Sequence, residues 1–139
     1  MKNIAHSDFA RLIGTWKTTG TIKSTEGELT LNGIDSYELI LNDNYILHKA
    51  NVKMGDEGSE TLEIIKIGDS LDKATMQYFN AKGEEGKMLS TIIGNEFTIE
   101  GDGLRFVGTI NEENNNIKGK WYTKVNGDWD DFIDLNLEK

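Results

Sequence analysis

The chain predicts an all-β protein, an antiparallel up-and-down barrel of about nine or ten strands preceded by a short N-terminal helix. Three observations carry this reading. From Gly14 onward, apolar and polar residues alternate with a period of two in one run after another. The runs are separated by short Gly, Asn and Asp clusters, which favour hairpins between antiparallel neighbours over helical crossovers. The 139 residues include no Pro, as suits a chain whose backbone N–H groups nearly all donate to a ladder. A chain of this length is one ordinary domain, and no linker, repeat or low-complexity tract interrupts it, so residues 1–139 are read as a single barrel.

The elements follow in order. Ser7 or Asp8 caps a short helix that carries Phe9, Leu12 and Ile13 on one face. A helix so short is marginal alone and is expected to lie across the end of something larger. The first strand, Thr15 to Lys23, sets Trp16, Thr18, Gly20 and Ile22 on one face. Tyr37, Leu39 and Leu41 then alternate with Ser36, Glu38 and Ile40, and in the next run Ile46, His48, Ala50, Val52 and Met54 share a face. Residues 62–67 are nearly continuous apolar, which leaves their facing open. Ala74, Met76, Tyr78 and Asn80 form the next inner face, followed by a strand over 87–93 and by Phe97 with Ile99. Leu104, Phe106, Gly108 and Ile110 come next, then Ile117, Gly119, Trp121, Thr123 and Val125. The chain closes on Ile133, Leu135 and Leu137, with Phe132 and Asp134 opposite. Asn126-Gly127 is the strongest turn signal, because a type I′ turn needs positive φ at both central residues. Strands with one apolar and one charged face either close into a barrel or leave long edges, and closure removes the edges. A sandwich is the rival arrangement.

Composition narrows the function classes. With 24 acidic against 15 basic residues the net charge is −9, so a nucleic-acid backbone or an anionic membrane surface repels this protein. No apolar run approaches the ~20 residues of a membrane helix, so a membrane partner is not expected. The absence of Cys removes disulfides, thiolate nucleophiles and Cys-based metal sites. The first residues lack the apolar core of a secretory leader, which makes a cytoplasmic protein the expectation.

The short helix followed by Leu12-Ile13-Gly14-Thr15-Trp16 resembles the Gly-x-Trp opening of lipocalins and related calycin barrels. The fuller pattern, with Asn44-Tyr45-Ile46-Leu47, Lys120-Trp121-Tyr122 and Asp128-Trp129-Asp130-Asp131-Phe132, is similar to a bacterial lipocalin-like family of unknown function. That resemblance implies a barrel whose closed end is packed by Trp16. Nitrobindin-like haem barrels share the opening, but they carry a proximal His on a late strand and residues 117–139 contain none. No haem or other cofactor is therefore expected.

Candidate chemistry is sparse. His6 lies in the leading segment and reads as solvated. His48 shares its face with Ile46, Ala50, Val52 and Met54, so it points to the lumen, where it could hold a ligand's polar head or act as a general base. The alternative is a core His bonded to a neighbouring hydroxyl or carbonyl. Burial lowers the pKa of such a ring unless a carboxylate stands nearby, and a neutral imidazole is the expectation. Tyr37, Tyr78, Asn80 and Trp121 are placed inward with it, giving the aromatic lining with a few polar groups that a small-molecule cavity requires. The run Asp128, Asp130, Asp131 and Asp134 lacks EF-hand spacing and reads as a solvated hairpin face, so no metal site is expected. No nucleophile elbow, phosphate loop or dinucleotide fingerprint occurs.

These residues favour a barrel that binds a small, partly apolar ligand without covalent chemistry, through His48, Tyr37, Tyr78, Asn80 and Trp121. One alternative is a small isomerase or lyase using His48 as acid or base, with Tyr78 or Tyr37 as its partner. Another is a barrel packed solid that acts through protein contacts or as a homodimer.

Overall fold

A computed structural model describes residues 3–139. Ten strands follow one another: β1 (Gly14–Ser24), β2 (Gly27–Ile40), β3 (Tyr45–Met54), β4 (Glu57–Ile67), β5 (Lys73–Asn80), β6 (Glu85–Ile93), β7 (Glu96–Gly101), β8 (Leu104–Ile110), β9 (Asn116–Val125) and β10 (Asp128–Glu138). Each pairs antiparallel with its neighbour in sequence, and β10 returns to β1 to close the barrel. The closing seam runs in register from Lys17 opposite Glu138 to Ile22 opposite Ile133. Every one of these strands has a hydrogen-bonded neighbour on both sides, and the sandwich is set aside. Among the described residues no helix is long and apolar enough to cross a membrane.

The expected helix takes the form of two 3₁₀ turns, Ile4–His6 and Asp8–Leu12. Ser7 caps the second, its hydroxyl accepting from the Phe9 N–H at 3.1 Å. These turns plug one end of the barrel. Phe9 and Leu12 are fully buried there with Trp16, whose Nε1 donates to the Leu12 carbonyl at 2.8 Å. Arg11 fastens the plug by donating to Asn114 Oδ1 at 2.6 Å and to Asn95 Oδ1 at 2.8 Å, on two separate connections. His6 is exposed, as read from the sequence.

Several boundaries differ from the sequence reading, each for a local reason. β2 begins at Gly27, well before Ser36, because Leu31, Asp35 and Tyr37 continue one inward face. Leu41 does not continue β2: with Asn42 and Asp43 it adopts positive φ in the turn that follows, and it is exposed. In β4, Glu63, Ile65 and Ile67 are buried and Leu62 is exposed, which resolves the facing of the apolar run. A register shift between Asp131 and Ile133 turns Phe132 inward, against the strict alternation expected of β10. Asn126 and Gly127 both have positive φ, as a type I′ hairpin requires.

The inward residues form two apolar clusters. The larger fills the plugged end around Trp16, Ile46, Ile65, Met76, Ile92 and Ile110, all fully buried. The smaller, Ile22, Leu31 and Val52, lies toward the hairpins of the opposite end and packs with Met54, Phe132 and Ile133. Between them the barrel is not filled.

Candidate functional site

A cavity of ≈ 430 Å³ occupies the unfilled part of the barrel. That is within the ~300–1,000 Å³ of small-molecule sites. Its wall is mostly apolar and aromatic, including Met88, Phe97, Phe106, Trp121, Phe132 and Leu135. Every one of the five residues singled out from the sequence lines it: His48, Tyr37, Tyr78, Asn80 and Trp121.

Strand register explains why three of them meet. Tyr37 pairs with His48, His48 with Glu63, and Glu63 with Tyr78, so one row of inward side chains crosses β2, β3, β4 and β5. Side chains directly opposite on neighbouring strands stand within ~4.5–5.5 Å at Cβ, close enough to interact. The Tyr37 and His48 rings stack with centroids 4.1 Å apart and planes 6° from parallel. His48 Nδ1 lies 2.9 Å from Glu63 Oε1, and Nε2 lies 2.6 Å from Asp35 Oδ1. Thr18 on β1 donates its hydroxyl to the other Asp35 oxygen.

This arrangement reverses the expected charge of His48. Burial alone pushes its pKa down, but hydrogen bonds and charge from Asp35 and Glu63 outweigh burial and raise it to about 9. At neutral pH the ring is an imidazolium with both N–H groups given to carboxylates. The neutral imidazole expected from its apolar neighbours is corrected by two carboxylates on adjacent strands. A ring so held neither takes a proton from the cavity nor offers one to it, which does not suit a general acid or base. Its geometry is that of a clamp joining β2, β3 and β4. Burial also raises the Tyr37 phenol well above its ordinary value, and the negative charges of Asp35 and Glu63 raise it further.

The remaining residues sit nearer the hairpin end. The Tyr78 hydroxyl donates to Asp102 Oδ2 at 2.5 Å, which lays its ring over Gly86. A Cβ at Gly86 would stand 2.6 Å from that hydroxyl, so a side chain there would push the ring aside. Asn80 is committed to the β5–β6 turn: its Oδ1 accepts from the Lys82 and Glu84 N–H groups at 3.0 and 3.1 Å, and its Nδ2 donates to Glu84. Its register partner is Thr61, one row away from His48. Trp121 packs on Phe106 at 5.3 Å between centroids.

Thr18, Asp35 and Glu63 are the site residues that the sequence reading did not single out. Asp35 precedes Tyr37 by two and Glu63 precedes Ile65 by two, so each is a carboxylate in phase with buried positions, and that phase was the available signal. The late start assigned to β2 hid the first, and the apolar run 62–67 hid the second. Among the described residues, no three His, Asp or Glu side chains are placed to hold one metal ion. The acidic stretch of β10 is spent on the outer surface, where Asp131 meets Lys23 at 3.0 Å and Lys120 at 3.7 Å.

Comparison of the chain with protein-family models and with curated proteins finds no match.

Proposed function

We propose that this protein binds a small, partly apolar molecule inside its barrel and does no covalent chemistry on it. The observation that carries this reading is the ≈ 430 Å³ cavity, walled by apolar and aromatic side chains with a polar cluster on one side. Interiors of small barrels are ordinarily filled by their own side chains, and this one is left unfilled between its two apolar clusters. His48, Tyr37, Tyr78 and Trp121 are the binding residues we assign, with Asn80 shaping the rim through its turn. Trp16 packed under the N-terminal turns also supports grouping the chain with the bacterial lipocalin-like barrels that its Gly-x-Trp opening resembles.

Native mass spectrometry of protein purified without refolding tests the reading, since a retained ligand appears as a discrete added mass. A screen of apolar and amphipathic compounds by tryptophan fluorescence complements it, because Trp121 lines the cavity. A stoichiometric complex by either route supports the proposal. Failure of both leaves the cavity without a ligand and defeats it.

A further inference from the structure

The charges on the cavity wall are unbalanced. Asp35, His48 and Glu63 are the charged residues that line it, and no Lys or Arg does. Two acidic side chains therefore face the cavity against a single basic one. Around His48 one carboxylate oxygen is left over. Asp35 spends both oxygens, one on His48 and one on Thr18, and His48 spends both nitrogens. Glu63 spends only Oε1, and its Oε2 has no hydrogen-bond partner among the described residues, although the residue is 9% exposed. The Tyr37 hydroxyl, on a residue 6% exposed, also lacks a partner among them. Neither atom is sealed away, since no fully buried side-chain polar atom here is left unpaired. Glu63 Oε2 can only accept when ionised, whereas the Tyr37 hydroxyl can accept or donate.

A ligand anion placed there would bring a further acceptor against Glu63 Oε2, with no Lys or Arg in the lining to offset it. A neutral apolar ligand would leave Glu63 Oε2 desolvated and unpaired. An ammonium group answers both, offering N–H donors and a compensating charge. The ring of Tyr78, the register partner of Glu63 on β5, lines the same side of the cavity, and an aromatic face attracts a cation. Resting on the reading of the cavity as a ligand site, we propose that its ligand is an amine, with a cationic head at Glu63 and Tyr37 and an apolar body along Phe97, Phe106 and Leu135.

Three probes of equal chain length decide this at pH 7: octylammonium, octan-1-ol and octanoate, titrated calorimetrically into the parent protein and into Glu63→Gln. The expected result is one octylammonium per barrel, bound at least about tenfold more tightly than octanol, a difference of about 1.4 kcal/mol. Octanoate should bind more weakly than octanol. Glu63→Gln should erase the amine's advantage over octanol, so that the two bind the variant within about twofold of each other. Octanol binding also reports whether the variant's lumen is intact, and the parent comparison stands alone if the variant does not fold. Equal affinity for octanol and octylammonium, or tighter binding of octanoate, overturns the amine assignment and leaves the ligand-binding reading in place. Amine binding with excess stoichiometry and no response to Glu63→Gln marks attachment to the acidic exterior and also overturns it. If none of the three binds, the ligand-binding reading falls and takes this inference with it.

Discussion

The two ends of the barrel are built from the same ten strands and the same alternation, yet they hold different contents. At the plugged end the inward positions are Trp16, Ile46, Ile65, Met76, Ile92 and Ile110, all fully buried, with Phe9 and Leu12 pressed in from the 3₁₀ turns. A few residues further along β1 to β5 the inward positions become Thr18, Asp35, His48, Glu63 and Tyr78, and the interior opens into a cavity. Large aliphatic and aromatic side chains fill volume and need no partners. Ionised groups must be met by partners on neighbouring strands, so they fix positions around a space rather than filling it. One end supplies stability, and the other spends some of it on a shaped, charged wall.

The largest expected effect tests the plugged end. Trp16→Ala should lower unfolding free energy by about 3–5 kcal/mol, the range for emptying a buried aromatic site. Urea denaturation measures it, and an unchanged midpoint would place the stability elsewhere.

Next comes the clamp. His48→Ala removes the cation from between Asp35 and Glu63, and the cost should be roughly 3 kcal/mol, at the low end for broken buried ion pairs because the cluster touches the cavity. Raising the pH through about 9 should shrink the deficit relative to the parent, since the parent's own ring then gives up its charge. A deficit independent of pH would mean that lost packing against Tyr37, not charge, is responsible.

The parent's own pH dependence is a smaller expected effect. The folded pKa of His48, about 9, lies above the ordinary 6.5 of the unfolded chain. Its stabilisation is therefore complete below pH 6.5 and is lost as pH rises through 9. Between pH 6.5 and 10 the parent should lose about 2–3 kcal/mol that His48→Ala does not lose. Matching pH profiles for parent and variant would show that His48 is not charged in the fold. An NMR titration of its ring protons gives the pKa directly.

The smallest effect belongs outside the barrel. Lys23→Ala breaks the 3.0 Å contact with Asp131, where both side chains are more than two-fifths exposed. No change in melting temperature beyond error is expected, at low or high salt, because exposed pairs gain little and are screened. A salt-sensitive drop would make the outer charge network part of the barrel's stability.

Much of this was legible in the sequence, and the reason is local. Alternation at period two marks inward positions without knowledge of strand pairing, so His48, Tyr78, Phe106 and Trp121 were placed correctly from their neighbours alone. The Asn126-Gly127 turn was equally legible, because its conformation is a property of those two residues. Where local geometry departs from the ideal pleat, the pattern misleads, as at Phe132 beside the register shift.

What the sequence by itself determined was an all-β chain of about ten antiparallel strands, with His48 among apolar neighbours on an inner face and Trp16 near its start. Only the tertiary structure decided that the sheet closes through β1 and β10, that an unfilled volume remains, and that His48 is charged. The physical reason is range. Which face a residue occupies depends on the residues two positions away, whereas the protonation of His48 depends on Asp35 and Glu63, which stand 13 and 15 positions away along the chain and reach it only through strand register.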